Sequence, residues 1–225
     1  MFLFIDKKRG PTSHDIVDKV RKIAGKKKVG HAGTLDPMAT GLLIIAVGRS
    51  STKKLGTLTK DTSKTYLAEI FLGEERETHD AEGKVVKENK DFPRPDKVLV
   101  ETLLDEFKGE IEQLPPKYSA IKVGGKKAYD LARKGKEVKL KKRKVTIYDI
   151  RPISYNYPIL KVKLEVSAGT YIRAFARDLG KEIGSGAYLK NLKRTKIGKY
   201  SVKEAVRVDI LTKTNWRRYA KELTI

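Results

Sequence analysis

The chain contains no cysteine among its 225 residues. This absence excludes disulfide bridges, thiolate zinc sites and a cysteine nucleophile, and it fits the reducing environment of a cytoplasm. The three histidines are scattered along the sequence, which gives no plausible metal cluster. No apolar run approaches the roughly 20 residues that span a bilayer, and the short apolar start meets charge at residue 6. We therefore expect a soluble, cytoplasmic protein without a bound metal.

Acidic residues are few compared with basic ones: the chain has 28 Asp and Glu but 50 Lys and Arg, which gives a formal net charge of +22. Such a surplus favours a polyanionic partner, and nucleic acid is the first candidate. The alternatives are a basic surface that keeps the protein soluble and a binding site for a partner protein. The charge is segregated: residues 73–113 carry 13 acidic and 7 basic side chains, whereas residues 117–145 carry 12 basic and 2 acidic ones. Tyr118 and Tyr129 stand among these cations, a mixture that predicts contacts with RNA phosphates and bases. Because the segment also contains glycines, we expect it to be mobile without RNA and to order on binding.

The hydrophobic spacing predicts an α+β fold. Apolar residues indicate strands over 2–6, 41–48, 64–73, 145–153 and 160–166. Helical spacing indicates one helix from an N-cap at Ser13 to a stop at Gly25, and others over 96–108 and 170–183. Strands with one polar face favour a mixed, mostly antiparallel central sheet flanked by helices and loops. Since no repeat or linker divides the chain, we expect residues 1–225 to form a single domain with a basic insertion at about 117–145.

The most unusual segment is residues 29–49, where Gly30, Gly33, Gly41 and a proline surround one carboxylate, Asp36. Glycine and proline allow the backbone to turn tightly and to bring a substrate close to that carboxylate. The alternative is an ordinary connecting turn, since Asp-Pro is a common turn dipeptide. A phosphate-binding loop is excluded, because neither the Gly-Lys-Ser/Thr ending nor the Gly-x-Gly-x-x-Gly spacing is present.

Residues 33–41, Gly-Thr-Leu-Asp-Pro-Met-Ala-Thr-Gly, resemble the active-site motif of the TruB family, the tRNA pseudouridine-55 synthases. Five further segments are similar to the family's motifs in the family's order, and the likeness covers about residues 3–200. They are Lys8–Asp15, Lys64–Tyr66, the RNA-clasping segment 113–133, the arginine motif Ser167–Arg173 and the leucine-bearing segment Gly184–Arg194. Two departures stand out. Lys8 occupies the position of the family's usual proline, and too few residues follow the last motif for the C-terminal PUA-type domain of many members, so we expect no PUA domain.

The resemblance implies an isomerase that breaks the glycosidic bond of a uridine, rotates the uracil and reattaches it through carbon 5, with no cofactor and no metal. In this scheme the catalytic residues are Asp36, Tyr66 and Arg173. Asp36 is the carboxylate, Arg173 pairs with it, and Tyr66 stacks on the uracil and is placed to take part in proton transfer. Leu192 supports Tyr66, and His31 helps to hold the loop open around a flipped-out nucleotide. The complete set of predicted substrate contacts is His31, Leu192, Lys8, Gly33, Thr34 and Tyr171. The predicted RNA contacts of the insertion are Lys122, Lys126, Lys127, Tyr129, Arg133, Lys141, Lys142 and Arg143.

The implied partner is the T stem-loop of tRNA, bound by a monomeric protein. Two alternatives remain open at this point: a non-catalytic module that binds or folds tRNA, and the catalytic subunit of an RNA-guided synthase. The presence of Asp36, Tyr66 and Arg173 argues against the first, because a decayed enzyme would be expected to lose at least one of them. The compact length argues against the second, since RNA-guided relatives typically carry extra terminal segments.

Overall fold

The computed structural model describes residues 1–60, 62–89, 91–119, 121–135 and 138–223. Its helices are α1 Ser13–Ala24, α2 Arg49–Lys53, α3 Leu55–Lys60, α4 Lys97–Glu106, α5 Ala128–Arg133 and α6 Ile172–Ile183. Its strands are β1 Phe2–Lys7, β2 Val29–Ala32, β3 Thr40–Val47, β4 Lys64–Leu72, β5 Glu74–Arg76, β6 Val85–Glu88, β7 Gly109–Gln113, β8 Lys122–Val123, β9 Lys126–Lys127, β10 Arg143–Asn156, β11 Ile159–Val166, β12 Ala187–Ile197 and β13 Tyr200–Ser201. Three short 3₁₀ helices, Val202–Glu204, Val208–Ile210 and Trp216–Tyr219, follow β13.

The chain divides into two compact units, of which the first comprises Met1–Leu67 and Leu192–Ile225. Its central strand is β3, which pairs antiparallel with β1 and β2 and parallel with β12. Seven of the eight residues of β3 are buried, because both of its faces are covered, and this explains the continuous apolar run in the sequence. One face packs into a core cluster of Phe2, Phe4, Ala32, Leu42, Ile44, Ala46, Leu58, Ile197 and Leu223.

Helix α1 packs against β2 and β3 through its apolar stripe at Ile16, Val17 and Val20. The N-cap is Thr12, one residue before the predicted Ser13, and its hydroxyl accepts a hydrogen bond from the N–H of Asp15 in a capping box. The predicted stop is confirmed: Gly25 adopts a left-handed conformation with φ 61°. The hydroxyl of Ser13 does not cap the helix, because it is hydrogen-bonded to the backbone of Leu35.

The second unit, Ala68–Asn191, is built on strands in the order β4–β11–β10–β7. The pairs β10–β11 and β10–β7 are antiparallel. Leu160, Val162, Leu164 and Val166 of β11 are buried, as the alternation predicts. Helices α4 and α6 pack together, with the rings of Phe107 and Phe175 in edge contact at 5.2 Å. The hairpins β5–β6 and β8–β9 complete the unit.

The predicted α+β class with a mixed, mostly antiparallel sheet is confirmed, since among these strand pairs only β3–β12 is parallel. In the part of the chain described, no helix is long and apolar enough to cross a membrane.

Candidate active site

Asp36 lies half-buried in the loop that joins β2 to β3. The loop leaves β2 through Gly33, with φ 78°, and β3 begins at Thr40 and Gly41, with φ 99° at the glycine. A Cβ atom at Gly41 would collide with the backbone carbonyl of Arg194, so only glycine fits there. The N–H of Ala39 donates to the carbonyl of Asp36 at 3.0 Å and closes a tight turn around the carboxylate. This is the turn that the glycines and the proline predicted.

The backbone that follows Asp36 is held by the ammonium group of Lys7, the last residue of β1. Lys7 is only 1% exposed. Its Nζ donates to the carbonyl oxygens of Ala39 at 2.7 Å, Lys8 at 2.9 Å and Pro37 at 3.2 Å. An ammonium group has three hydrogens, and three carbonyls accept from it, which offsets the cost of burying the charge.

The backbone that precedes Asp36 is held by Arg194 of β12, which is also 1% exposed. Its Nη2 donates to the carbonyl of Gly33 at 2.9 Å and its Nε to that of Leu42 at 2.9 Å. A longer contact of 3.4 Å joins Nη1 to the carbonyl of Thr34. Because a guanidinium is a rigid planar fork, these contacts fix the distance between the entry of the loop and the strand β3 that follows it.

Ser13 provides a third support for the same loop. Its hydroxyl donates to the carbonyl of Leu35 at 2.9 Å, and the N–H of Leu35 donates back to the hydroxyl at 2.8 Å. This reciprocal pair explains why Ser13 is buried instead of capping α1. Lys7, Ser13 and Arg194 were not selected from the sequence, yet they brace the residues on both sides of Asp36.

His31 lies on β2, two residues before the loop, and pairs with Ile45 of β3. Burial lowers the pKa of its imidazole, and the charges of Arg194 and His14 lower it further, while a backbone hydrogen bond with Gly33 opposes them. The ring is therefore neutral at neutral pH. Its Nδ1 is buried and has no hydrogen-bond partner among the described residues.

The other predicted substrate contacts of the first unit differ in exposure. Tyr66 on β4 and Leu192 on β12 are both 8% exposed. The side chain of Thr34 is exposed, and its backbone carbonyl contacts Arg194. Lys8 is also exposed and forms an ion pair of 2.9 Å with Asp209. The roles assigned to these four residues stay predictions.

In the second unit, Arg173 of α6 is buried at 6% exposure and contacts three oxygens. Nη1 lies 3.2 Å from a carboxylate oxygen of Asp80 and donates to the carbonyl of Thr78 at 3.2 Å. Nη2 donates to the carbonyl of Tyr118 at 2.8 Å. Asp36 belongs to the other unit, and its predicted pairing with Arg173 stays a prediction.

Asp80, the ion-pair partner of Arg173, is only 2% exposed and was not among the residues selected from the sequence. Its Oδ1 accepts hydrogen bonds from the hydroxyl of Thr78 at 2.5 Å and the N–H of Glu82 at 3.0 Å. The preceding residue, His79, has φ 59°, a left-handed conformation that is uncommon outside glycine. Burial and the charges of Arg177 and Arg173 lower the pKa of His79 to about 4. The hydrogen bonds from Thr78 and Glu82 fix the orientation of the Asp80 carboxylate, which pairs with Arg173.

Tyr171 is the N-cap residue of α6 and is fixed by its backbone. Its N–H donates to Oε1 of Gln113 at 2.8 Å, and Nε2 of Gln113 donates to the carbonyl of Tyr171 at 3.2 Å. Gln113 is 1% exposed, so this pair of hydrogen bonds orients the start of the helix that carries Arg173.

The basic insertion contains the hairpin β8–β9 and the helix α5. Its predicted RNA contacts are exposed at Lys122, Lys126, Lys141, Lys142 and Arg143, whereas Tyr129 is half-buried and its N–H donates to the carbonyl of Ser119 at 3.0 Å. The side chains of Lys127 and Arg133, and residues 120, 136 and 137, lie outside what the structure describes. In the described part of the chain, no group of three His, Asp or Glu side chains is placed to hold a metal ion.

Within the first unit, a carboxylate on a braced loop and many exposed cations are features expected of an enzyme that acts on a polyanion. A family model described as "TruB family pseudouridylate synthase (N terminal domain)" matches residues 21–172. The chain belongs to this family, whose members form pseudouridine, and it is therefore an isomerase.

Relatives named tRNA pseudouridine synthase B cover most of the chain. The one from Clostridium kluyveri is 43% identical over 217 residues, which is 96% of this chain and 74% of that protein. The one from Dehalococcoides mccartyi is 46% identical over 89% of this chain and 66% of its own length. The one from Desulfotalea psychrophila is 42% identical over 97% of this chain and 91% of its own length.

Solved structures share the fold. The chain superimposes on a chain of a Cbf5–Nop10–Gar1 complex with a TM-score of 0.71 and 26% identity, covering 98% of this chain and 56% of the other. For the archaeal box H/ACA sRNP Nop10–Cbf5 complex the TM-score is 0.70 at 24% identity, over 96% and 54% of the two chains. The chain thus spans little more than half the length of these structural neighbours, and the likeness confirms the pseudouridine synthase fold.

Proposed function

We propose that this protein converts the uridine at position 55, in the T loop of tRNA, to pseudouridine, with Asp36 as the catalytic carboxylate. The single observation that carries the proposal is the bracing of the Asp36 loop by Lys7, Ser13 and Arg194, all of them at most 2% exposed. These side chains hold the backbone on both sides of Asp36, and a fixed position is what a catalytic carboxylate requires. The relatives' shared name, tRNA pseudouridine synthase B, supports tRNA as the substrate.

The reaction breaks the bond between C1′ and N1, turns the uracil and joins C1′ to C5. C5 then loses its proton and N1 gains one, so atoms balance without an oxidant. We assign Asp36 the task of stabilising or trapping the detached sugar or base, because a fixed carboxylate suits either role. Tyr66 is assigned stacking against the uracil, and Arg173 is assigned the charge that keeps Asp36 ionised once RNA excludes water.

The decisive experiment measures turnover of an unmodified T-arm hairpin labelled with tritium at C5 of its uridines, since the C5–H bond must break. Asp36→Asn preserves the shape of the side chain but removes its charge, and we expect kcat to fall at least about a thousandfold while hairpin binding persists. Asp18→Asn is the matched control, because Asp18 is an exposed carboxylate in the same unit that pairs only on the surface with Arg21 and His14. Retained turnover in Asp36→Asn overturns the assignment.

The same assay separates the two alternatives. A module that only binds or folds tRNA would bind the hairpin with no tritium release from the wild-type protein. An RNA-guided subunit would release tritium only after a guide RNA is added, whereas we expect release from the hairpin and the protein alone. The monomeric state and the cytoplasmic location stay predictions, to be checked by light scattering and by cell fractionation.

A further inference from the structure

The first unit carries most of the protein's positive surplus. Residues 1–67 and 192–225 contain 24 Lys and Arg but only 8 Asp and Glu, a surplus of +16, while residues 68–191 contain 26 and 20, a surplus of +6. The excess is spread over the sequence of the first unit, and its two runs of three cations are residues 7–9 and 26–28. Only the fold decides which of these cations lie together.

Six of them come from two chain segments that meet at one end of the strand pair β2–β3. Residues 26–28 precede β2 and residues 49–54 follow β3, and the register places Val29 opposite Val47. The N–H of Gly48 donates to the carbonyl of Lys28 at 2.8 Å and joins the two segments. A Cβ atom at Gly30 would lie 2.8 Å from Leu55 and 3.9 Å from Thr52, so α2 and α3 pack directly over β2. We call the resulting surface the lysine face: Lys26, Lys27, Lys28, Arg49, Lys53 and Lys54.

All six side chains of the lysine face are exposed. Among the described residues none of the six takes part in an ion pair, although many other cations of the protein do. Glu222 pairs with the N-terminal amine at 3.3 Å and with none of these six side chains. Like charges held together without counter-charges destabilise the protein slightly, and they attract a multivalent anion. The face also lacks exposed aromatic or aliphatic anchors, which a membrane-binding surface would need.

The position of the lysine face relative to Asp36 defines what it can reach. The face and the Asp36 loop lie at opposite ends of β3, from Val47 to Thr40, which corresponds to on the order of 20 Å of extended strand. At this distance the lysine face can contact the backbone phosphates of an RNA whose uridine enters the Asp36 loop, but not the reacting base itself. We propose that the lysine face is a second RNA contact, which binds backbone phosphates on the order of 20 Å from the reacting uridine. This inference rests on the proposed function for two points, the choice of tRNA as the RNA and the Asp36 loop as the place where the uridine reacts.

The test compares two double variants that each remove two positive charges from the first unit. Lys53→Gln with Lys54→Gln alters the lysine face, and Lys203→Gln with Lys213→Gln alters exposed lysines outside it. Binding of an unmodified tRNA transcript is measured by fluorescence anisotropy between roughly 50 and 200 mM salt. We expect the lysine-face variant to bind about tenfold more weakly at low salt and its plot of log K against log salt to be less steep by about 1–2. The control variant should follow the wild type, and Lys53→Arg with Lys54→Arg should restore binding.

Equal behaviour of the two glutamine variants overturns the proposal, because a generic charge effect does not depend on position. A T-arm hairpin run in parallel identifies the source of the phosphates: an equal loss with the hairpin places them in the T stem, and a loss seen only with whole tRNA places them elsewhere in the molecule. Turnover, measured separately, should show the defect as a rise in KM. If the wild-type protein binds tRNA but forms no pseudouridine, the proposed function fails while the binding comparison still decides the role of the lysine face.

Discussion

Replacing Arg194 by methionine tests whether the bracing of the Asp36 loop contributes to catalysis. Methionine is unbranched and apolar, so it fills much of the same buried volume while removing all three hydrogen bonds. The carbonyls of Gly33 and Leu42, each 2.9 Å from the guanidinium, lose their charged donor, and that of Thr34 loses a weaker contact. Asp36 itself is not altered, so any loss of turnover acts through the position of its backbone.

The expected magnitude follows from these contacts. A hydrogen bond from a charged group contributes about 1.5–3 kcal/mol, and two short ones give a gross loss of about 3–6 kcal/mol. Removing a buried guanidinium also removes its desolvation cost, so we expect the free energy of unfolding to fall by about 2–4 kcal/mol. Since domains are typically stable by about 5–15 kcal/mol, the variant should stay folded. A displacement of about 1 Å at a catalytic group costs about a hundredfold, and we expect kcat to fall by about 30–100-fold.

The assay combines urea unfolding with tritium release from a saturating T-arm hairpin. Arg218→Met serves as the matched control, because Arg218 is an exposed arginine of the same unit. Arg194→Lys separates charge from geometry. A single ammonium keeps the charge that lowers the pKa of His31, yet it cannot reach Gly33 and Leu42 as a planar fork does. The NMR titration of His31 should therefore move upward in Arg194→Met only, while kcat falls in both variants. A wild-type kcat in Arg194→Met, with the protein folded, refutes the bracing argument.

The sequence predicted the elements whose burial follows a simple period. Strand β3 and the alternating β11 were predicted within one or two residues, and so were helices α1 and α6, because hydrophobic burial decides all four. Strand β12 was missed although it is 11 residues long. Its buried positions include Arg194, and a charged residue in the buried register destroys the alternation that marks a strand. Strand β2 was missed because four residues containing a glycine resemble a loop.

The sequence predicted the tight turn around Asp36 but not the side chains that brace it. Tight turns leave a local signature of glycine and proline, but support from Lys7 and Arg194 leaves none, because their partners are backbone carbonyls up to 161 residues away. From a sequence alone, a lysine or arginine is expected on the surface, since these residues are almost never fully buried. Asp80 was hidden in the same way among the 13 acidic residues of 73–113. The lysine face was hidden for another reason: its cations are separate in the sequence and form one surface only after β2 and β3 pair.

Two further changes test the surroundings of Arg173. Asp80→Asn neutralises a carboxylate that is 2% exposed, and we expect the free energy of unfolding to fall by about 2–3 kcal/mol and kcat by at least about tenfold. The control Asp149→Asn breaks a surface pair with Arg151 and should cost at most about 1 kcal/mol. Equal losses in the two variants would show that the buried pair of Asp80 and Arg173 has no special weight. His79→Asn tests the linkage of stability to pH. The pKa of His79 is about 4 in the fold, where the ring faces Arg177, Arg173, Asp80 and Lys117, and near 6.5 when unfolded. The unfolded chain therefore takes up the proton first, and the wild-type protein should lose about 2–3 kcal/mol from this group as pH falls from 7 to 4.5. Asparagine tolerates the left-handed backbone and does not titrate, so the variant should match the wild type at pH 7 and exceed its stability at pH 4.5. Urea unfolding at both pH values measures the difference, and an unchanged pH dependence in His79→Asn would show that the ring takes up its proton without leaving the fold.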